Sequence, residues 1–176
     1  MSEQPLAKFD GKCSHFGGPE DQGVSPEEGL AFIYKYDQAP YLFLPQQPPG
    51  TTGLARRLNA DEVDYVACRW DYAVTPKEML AKPEPALVFA PSTLRAALAY
   101  PADWGPHADT DRVADLSPHL MAHLGIATDG EVVVIYPAPT LPPLPKRKPK
   151  KRPKPKAKSK VKAKGKAYAA RPKKRH

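Results

Sequence analysis

Apolar and polar positions alternate with a period of two in several short stretches of this chain, which predicts strands rather than long helices. Leu94, Ala96, Leu98 and Tyr100 alternate with Arg95, Ala97 and Ala99, and the run leads into Pro101 and Asp103. Glu131 to Tyr136 reads EVVVIY, with either Val132, Val134 and Tyr136 or Val133 and Ile135 facing inward. Shorter runs at Lys12 to Phe16, Tyr41 to Leu44, Val63 to Trp70, Ala86 to Ala90 and Arg112 to Leu116 predict further strands, with a turn at Pro91 and Ser92. Residues 1–10 read as a loose lead-in.

The helices are few and short. Ser25, Pro26 and Glu28 follow the capping-box pattern and start a helix that carries Leu30, Ile33 and Tyr34 inward. Thr75, Pro76 and Glu78 repeat the pattern for one turn through Leu80. Ser117 is an N-cap with Pro118 at the first helical position, where a missing N–H costs nothing, and Gly125 closes that helix. Gly17 and Gly18 tolerate positive φ, and Pro45 to Gly53 is a proline and glycine loop of the kind that rims grooves. Six or so short strands with two or three single helices predict a mainly β domain.

Charge divides the chain sharply. Residues 1–145 hold all 19 acidic side chains and 10 of the 27 basic ones, a net of −9, while residues 146–176 hold the other 17 basic ones and no acid. The overall +8 therefore describes no single surface, and a nucleic-acid-binding fold does not follow from it. Residues 138–145 form a stiff proline-rich linker. Beyond it, a run opening with Lys146, Arg147, Lys148, Lys150, Lys151 and Arg152 alternates lysine with proline or alanine, which cannot bury a core, so disorder is expected. Such a tail binds polyanions by counterion release: about ten phosphates would give a salt slope near −9. Without aromatic interleaving beyond Tyr168, base-specific readout is not expected.

Cys13 and Cys68 are too few and too far apart in sequence for a zinc site, and both fall in predicted strands, so buried free thiols are expected, with a bridge favoured only by export. His119 and His123 are four apart on one helix but lack the glutamate of an H-E-x-x-H pair, so surface histidines are expected rather than metal ligands, and no cofactor is implied. The N-terminal MSEQPLAKFDGK lacks the apolar core of a signal peptide, and no run is long enough to span a membrane. As written the chain reads as cytoplasmic, with the cell envelope or a virion as the other compartments.

ADWGP, then DRVADLS, then a short helix ending in LG resembles the DRGP, GRVIDLS and ALG pattern of RlpA-like double-psi β-barrels, relatives of expansins, barwin and family 45 glycoside hydrolases. Upstream, Gly11 to Gly17, GKCSHFG, is similar to the GxASWYG run that opens the same domain. The resemblance covers residues 11–137 and implies a six-stranded double-psi β-barrel directed at cell-wall glycan, including peptidoglycan. It implies that Asp103 is the general acid/base of a lytic transglycosylase, with Gly105, Arg112 and Asp115 structural at the site. The histidine that assists this chemistry in the family has no counterpart in AVTPKEML, so Asp71 or Glu78 is the candidate second acid. His15, Trp70, Tyr72 and Trp104 are the candidate substrate-binding residues, the rings as a sugar-stacking platform. The competing expectation is a non-catalytic binding or structural protein, a virion or nucleoid component, whose tail supplies nucleic-acid affinity.

Overall fold

A computed structural model describes residues 6–21, 38–47, 53 and 55–139. Contacts divide the chain into Met1–Leu141 and Pro142–His176, and every described residue belongs to the first unit. The helix expected after Ser25, the linker beyond residue 139 and the basic run from Lys146 lie outside the described residues. Among those described, no helix is long and apolar enough to cross a membrane.

Six strands, β1 (Ala7–His15), β2 (Tyr65–Cys68), β3 (Ala86–Ala90), β4 (Arg95–Trp104), β5 (Arg112–Leu116) and β6 (Glu131–Tyr136), close a barrel in the order β1-β5-β2-β4-β3-β6. The β1/β5 and β2/β4 pairs are parallel and the other four antiparallel. Exchanging β1 with β4, β2 with β5 and β3 with β6 reproduces every neighbour and every direction, so the ring has a pseudo-two-fold topology. This mixed six-stranded ring is compatible with the double-psi barrel that the resemblance implies.

Alternation decides the inner face. Ala86, Val88 and Ala90 on β3, Ala114 and Leu116 on β5, and Val132, Val134 and Tyr136 on β6 are all buried. β2 is buried on both faces: Val66 and Cys68 register with Leu116 and Ala114, while the Tyr65 ring packs edge-on against Phe16 at 5.1 Å. Two short helices, α1 (Lys77–Leu80) and α2 (Pro118–Leu124), complete the fold.

The other expected strands are present with their ends moved, and one is absent. β1 begins at Ala7, inside the expected lead-in, because β6 pairs with it from Ala7↔Tyr136 to Lys12↔Glu131 and Phe9 packs on the Trp70 ring at 5.3 Å. Tyr41 to Leu44 is not a strand: Pro40–Leu42 is a single 3₁₀ turn, and only Phe43 bridges to Leu58. α1 forms without the capping box, since Pro76 occupies the cap position and the buried Thr75 hydroxyl has no partner among the described residues. α2 forms as expected: Ser117 Oγ accepts from the Leu120 N–H at 3.1 Å, and Gly125 ends the helix at φ 67°.

Gly17 follows β1 at φ +89°, and a Cβ there would run into the Tyr65 hydroxyl, which donates to the Phe16 carbonyl at 2.8 Å. Gly17→Ala therefore combines a disfavoured backbone with a clash at a buried ring. We expect it to destabilise the domain by about 2–4 kcal/mol in urea unfolding; a loss within about 0.5 kcal/mol, the range of an ordinary surface change, would contradict this packing.

Candidate functional site

The pairing of β2 on both edges builds the site. Ala67 registers with Asp103 of β4 on one side and Asp115 of β5 on the other, and Asp115 registers in turn with Ser14 of β1. Four strands thus bring Ser14, Asp115, Ala67 and Asp103 into one row. The two aspartates stand two strand spacings apart, about 10 Å between Cα atoms. The Ser14 hydroxyl donates to Asp115 Oδ1, and Gly105 lies so close that a Cβ there would be 3.3 Å from Asp115 Oδ2.

Asp103 is 4% exposed. Its Oδ1 accepts the backbone N–H of Trp104 at 2.6 Å, while its backbone carbonyl accepts the Trp70 indole N–H at 2.8 Å. The segment beyond it is held just as firmly. The Trp104 indole donates to the Trp70 carbonyl at 3.3 Å, the Gly105 N–H to the Cys68 carbonyl at 3.1 Å, and the Gly105–Pro106 peptide is cis. Arg69 ties down the following loop by donating to the carbonyls of Pro106 and Arg112 at 3.1 and 2.7 Å.

Asp115 differs in kind. It is only partly covered, and burial pushes its carboxyl above the ordinary range even though the Ser14 hydrogen bond and Arg112 pull the other way. The resemblance assigns it a structural part; in the structure, although part-open, it has Oδ1 taken by the Ser14 hydroxyl and Oδ2 close against Gly105.

Of the remaining candidates, Trp70, Tyr72 and Trp104 lie about Asp103 but differ in burial. Trp70 is 2% exposed and packs edge-on to Phe9 and Tyr136, as a core ring does. Tyr72 lies near enough to Asp103 that the carboxylate adds to the effect of burial in raising its hydroxyl to about 12, and Lys77 Nζ stands 4.9 Å over its ring. Trp104, 38% exposed, is the ring of the three that solvent reaches best. Asp71 is exposed and caps its own turn by accepting the Ala73 N–H at 2.9 Å, and Glu78 lies exposed in the first turn of α1. His15 is exposed at the end of β1, with Nδ1 3.3 Å from the Thr128 hydroxyl. Arg112 pairs with Asp129 at 3.0 Å, an acid in the turn before β6 rather than in its own.

An open cleft of about 340 Å³ lies alongside, walled by Asp10, Lys12, Arg69, Arg112, Val113 and Glu131 among others. Asp103 is not in its wall, and its charges are mixed. The cysteines have no part in an open site. Ala114 stands between Cys13 and Cys68 in register, which puts them about 10 Å apart, beyond the ~7 Å reach of a disulfide. Both are free and buried, and burial raises the Cys13 thiol to about 11.

Comparison with known protein families and with curated proteins finds no match, so the arrangement is read from its own geometry. The raised carboxyl of Asp115 makes a prediction with a definite sign. Its folded-state value lies above the ordinary 3.8, so the protonated form favours folding, and that contribution is complete below 3.8 and lost as pH rises through the folded value. Asp115→Asn keeps an acceptor for Ser14 without the buried charge. Its melting temperature relative to wild type should therefore be higher at pH 7 than at about pH 3; a variant that loses more at pH 7 than at acid pH would contradict the assignment.

Proposed function

We propose that the barrel is a cell-wall glycan-directed module of the RlpA-like kind that binds saccharide without cleaving it. What carries the reading is the contrast between neighbours on one strand end: Trp104 is 38% exposed, whereas Asp103 is 4% exposed and its carboxylate already accepts an N–H. An exposed indole next to a polar row suits stacking on a sugar face. A general acid must reach the glycosidic oxygen within hydrogen-bond distance, and cleavage by inversion needs a second carboxylate across a water. Asp71 accepts the Ala73 N–H of its own turn and Glu78 lies exposed on α1. A transglycosylase working with one acid/base would have to use the covered Asp103, so the action that expansins are thought to have, loosening glycan without hydrolysis, fits better.

Sedimentation with purified peptidoglycan tests this. Wild type should co-sediment and Trp104→Ala should lose about two- to tenfold in affinity, in line with removal of one stacked ring worth roughly 0.5–1.5 kcal/mol. Neither wild type nor Asp103→Asn should release anhydro-muropeptides. Release by wild type alone would restore Asp103 as acid/base, and absence of binding by both proteins would end the glycan reading.

A second reading rests on a separate observation, the 17 basic side chains without one acid in residues 146–176. In it the barrel is an adaptor and the cationic segment binds nucleic acid or another polyanion without sequence preference. Gel shifts of the full chain and of residues 1–145 should then differ, with a salt slope near −9 for about ten phosphates in the full chain only. Equal binding, or none by the full chain at moderate salt, would remove it.

A further inference from the structure

Away from the aspartate row, Asp64 lies between His119 and His123. Its Oδ1 is 2.9 Å from His119 Nδ1 and its Oδ2 is 2.9 Å from His123 Nδ1, and the two rings, one helical turn apart on α2, are 4.2 Å centroid to centroid. One donor atom from each of the three residues falls within 4.8 Å of the others. The carboxylate side chain is 16% exposed and the imidazoles 29% and 53%, so the group is fixed on one side and open to solvent on the other.

The backbone beneath is tied on both sides. The Ser117 N–H donates to the Tyr65 carbonyl at 3.0 Å, the Tyr65 N–H to Ser117 Oγ at 3.3 Å, and the His119 N–H to the Ala60 carbonyl at 3.1 Å. On the other flank the Tyr100 N–H donates to the Asp64 carbonyl at 2.9 Å. Two elements that are 55 residues apart in sequence are therefore locked together where the three side chains converge.

We infer that Asp64, His119 and His123 form a site for a divalent transition metal ion, of which Zn²⁺ is the natural probe. Two imidazoles and one carboxylate are a borderline donor set that favours Zn²⁺, Co²⁺ or Ni²⁺ over Mg²⁺ and Ca²⁺. Ligand atoms around a tetrahedral zinc, each at about 2.0–2.2 Å, lie roughly 3.3–3.6 Å from one another; here the two His–Asp separations are 2.9 Å and all three donor atoms lie within 4.8 Å. Three protein ligands leave the fourth position to water. The ion would clip α2 to the segment that enters β2.

Titration of the untagged full-length chain with Zn²⁺ by calorimetry, and with Co²⁺ by visible absorption, tests this. Wild type should bind one equivalent, give the intense absorption of tetrahedral cobalt, melt at a higher temperature with zinc than without, and keep its zinc in excess Mg²⁺. His123→Ala, a change at an exposed position, should weaken binding at least tenfold and abolish the thermal shift, as should Asp64→Asn, while His107→Ala should bind as wild type does. A wild type that takes up neither metal at millimolar concentration, or a His123→Ala variant whose affinity is unchanged, would overturn the inference.

Discussion

Hydrogen bonding of β2 on both edges is the constraint on which this structure depends. The strand is four residues long and wholly buried, with β4 parallel on one side and β5 antiparallel on the other. Through it, residues from β1 to β4 come into one row across the barrel, and the rings that flank the row are set by the same pairing. β2 ends at Cys68, where the Trp70 and Gly105 N–H groups both donate to the Cys68 carbonyl. That shared acceptor fixes where Trp70 turns inward and where Trp104 is left outside. Slippage of one residue would exchange the faces of every side chain on the strand and dissolve the row.

The consequence for chemistry lies in how the two aspartates are solvated. Asp103 accepts the N–H of the next residue and is 4% exposed. Asp115 is partly open, bonded to a hydroxyl and raised by burial. A module that cleaves glycan would need the reverse arrangement at Asp103, an accessible carboxyl poised to lose a proton. The binding reading proposed above rests on that difference in environment and on the partial exposure of Trp104.

Much of the barrel was legible in the pattern of side chains. Serine, proline and glycine marked both ends of α2, and EVVVIY marked β6 as a strand but left open which of its two faces is inward, a choice the barrel makes for Val132, Val134 and Tyr136. What was not legible depends on partners distant in sequence. Lys8 and Asp10 made the first residues look like a solvated lead-in, although β6 supplies the ladder that extends β1 to Ala7. Pro76 displaced the expected threonine cap, because a proline's fixed φ suits that position whatever lies beside it. For the site, Asp103 was placed correctly at a strand end, but nothing in ADWGP tells whether its carboxylate faces a groove or folds back on the Trp104 amide. Nor could His119 and His123 reveal Asp64, which reaches them only through the clasp between Ser117 and Tyr65.

The chain has two tryptophans, so its two indole N–H signals report separately on the open ring and the core ring. Titrating soluble peptidoglycan fragments into the labelled protein while recording amide and indole spectra reads binding and turnover in one experiment. Saturable movement of the Trp104 indole and the Gly105 amide, a still Trp70 indole and unchanged sugar signals over hours are the outcome this account predicts. A Trp104 signal that never moves, or the steady growth of anhydro-sugar resonances, would contradict it.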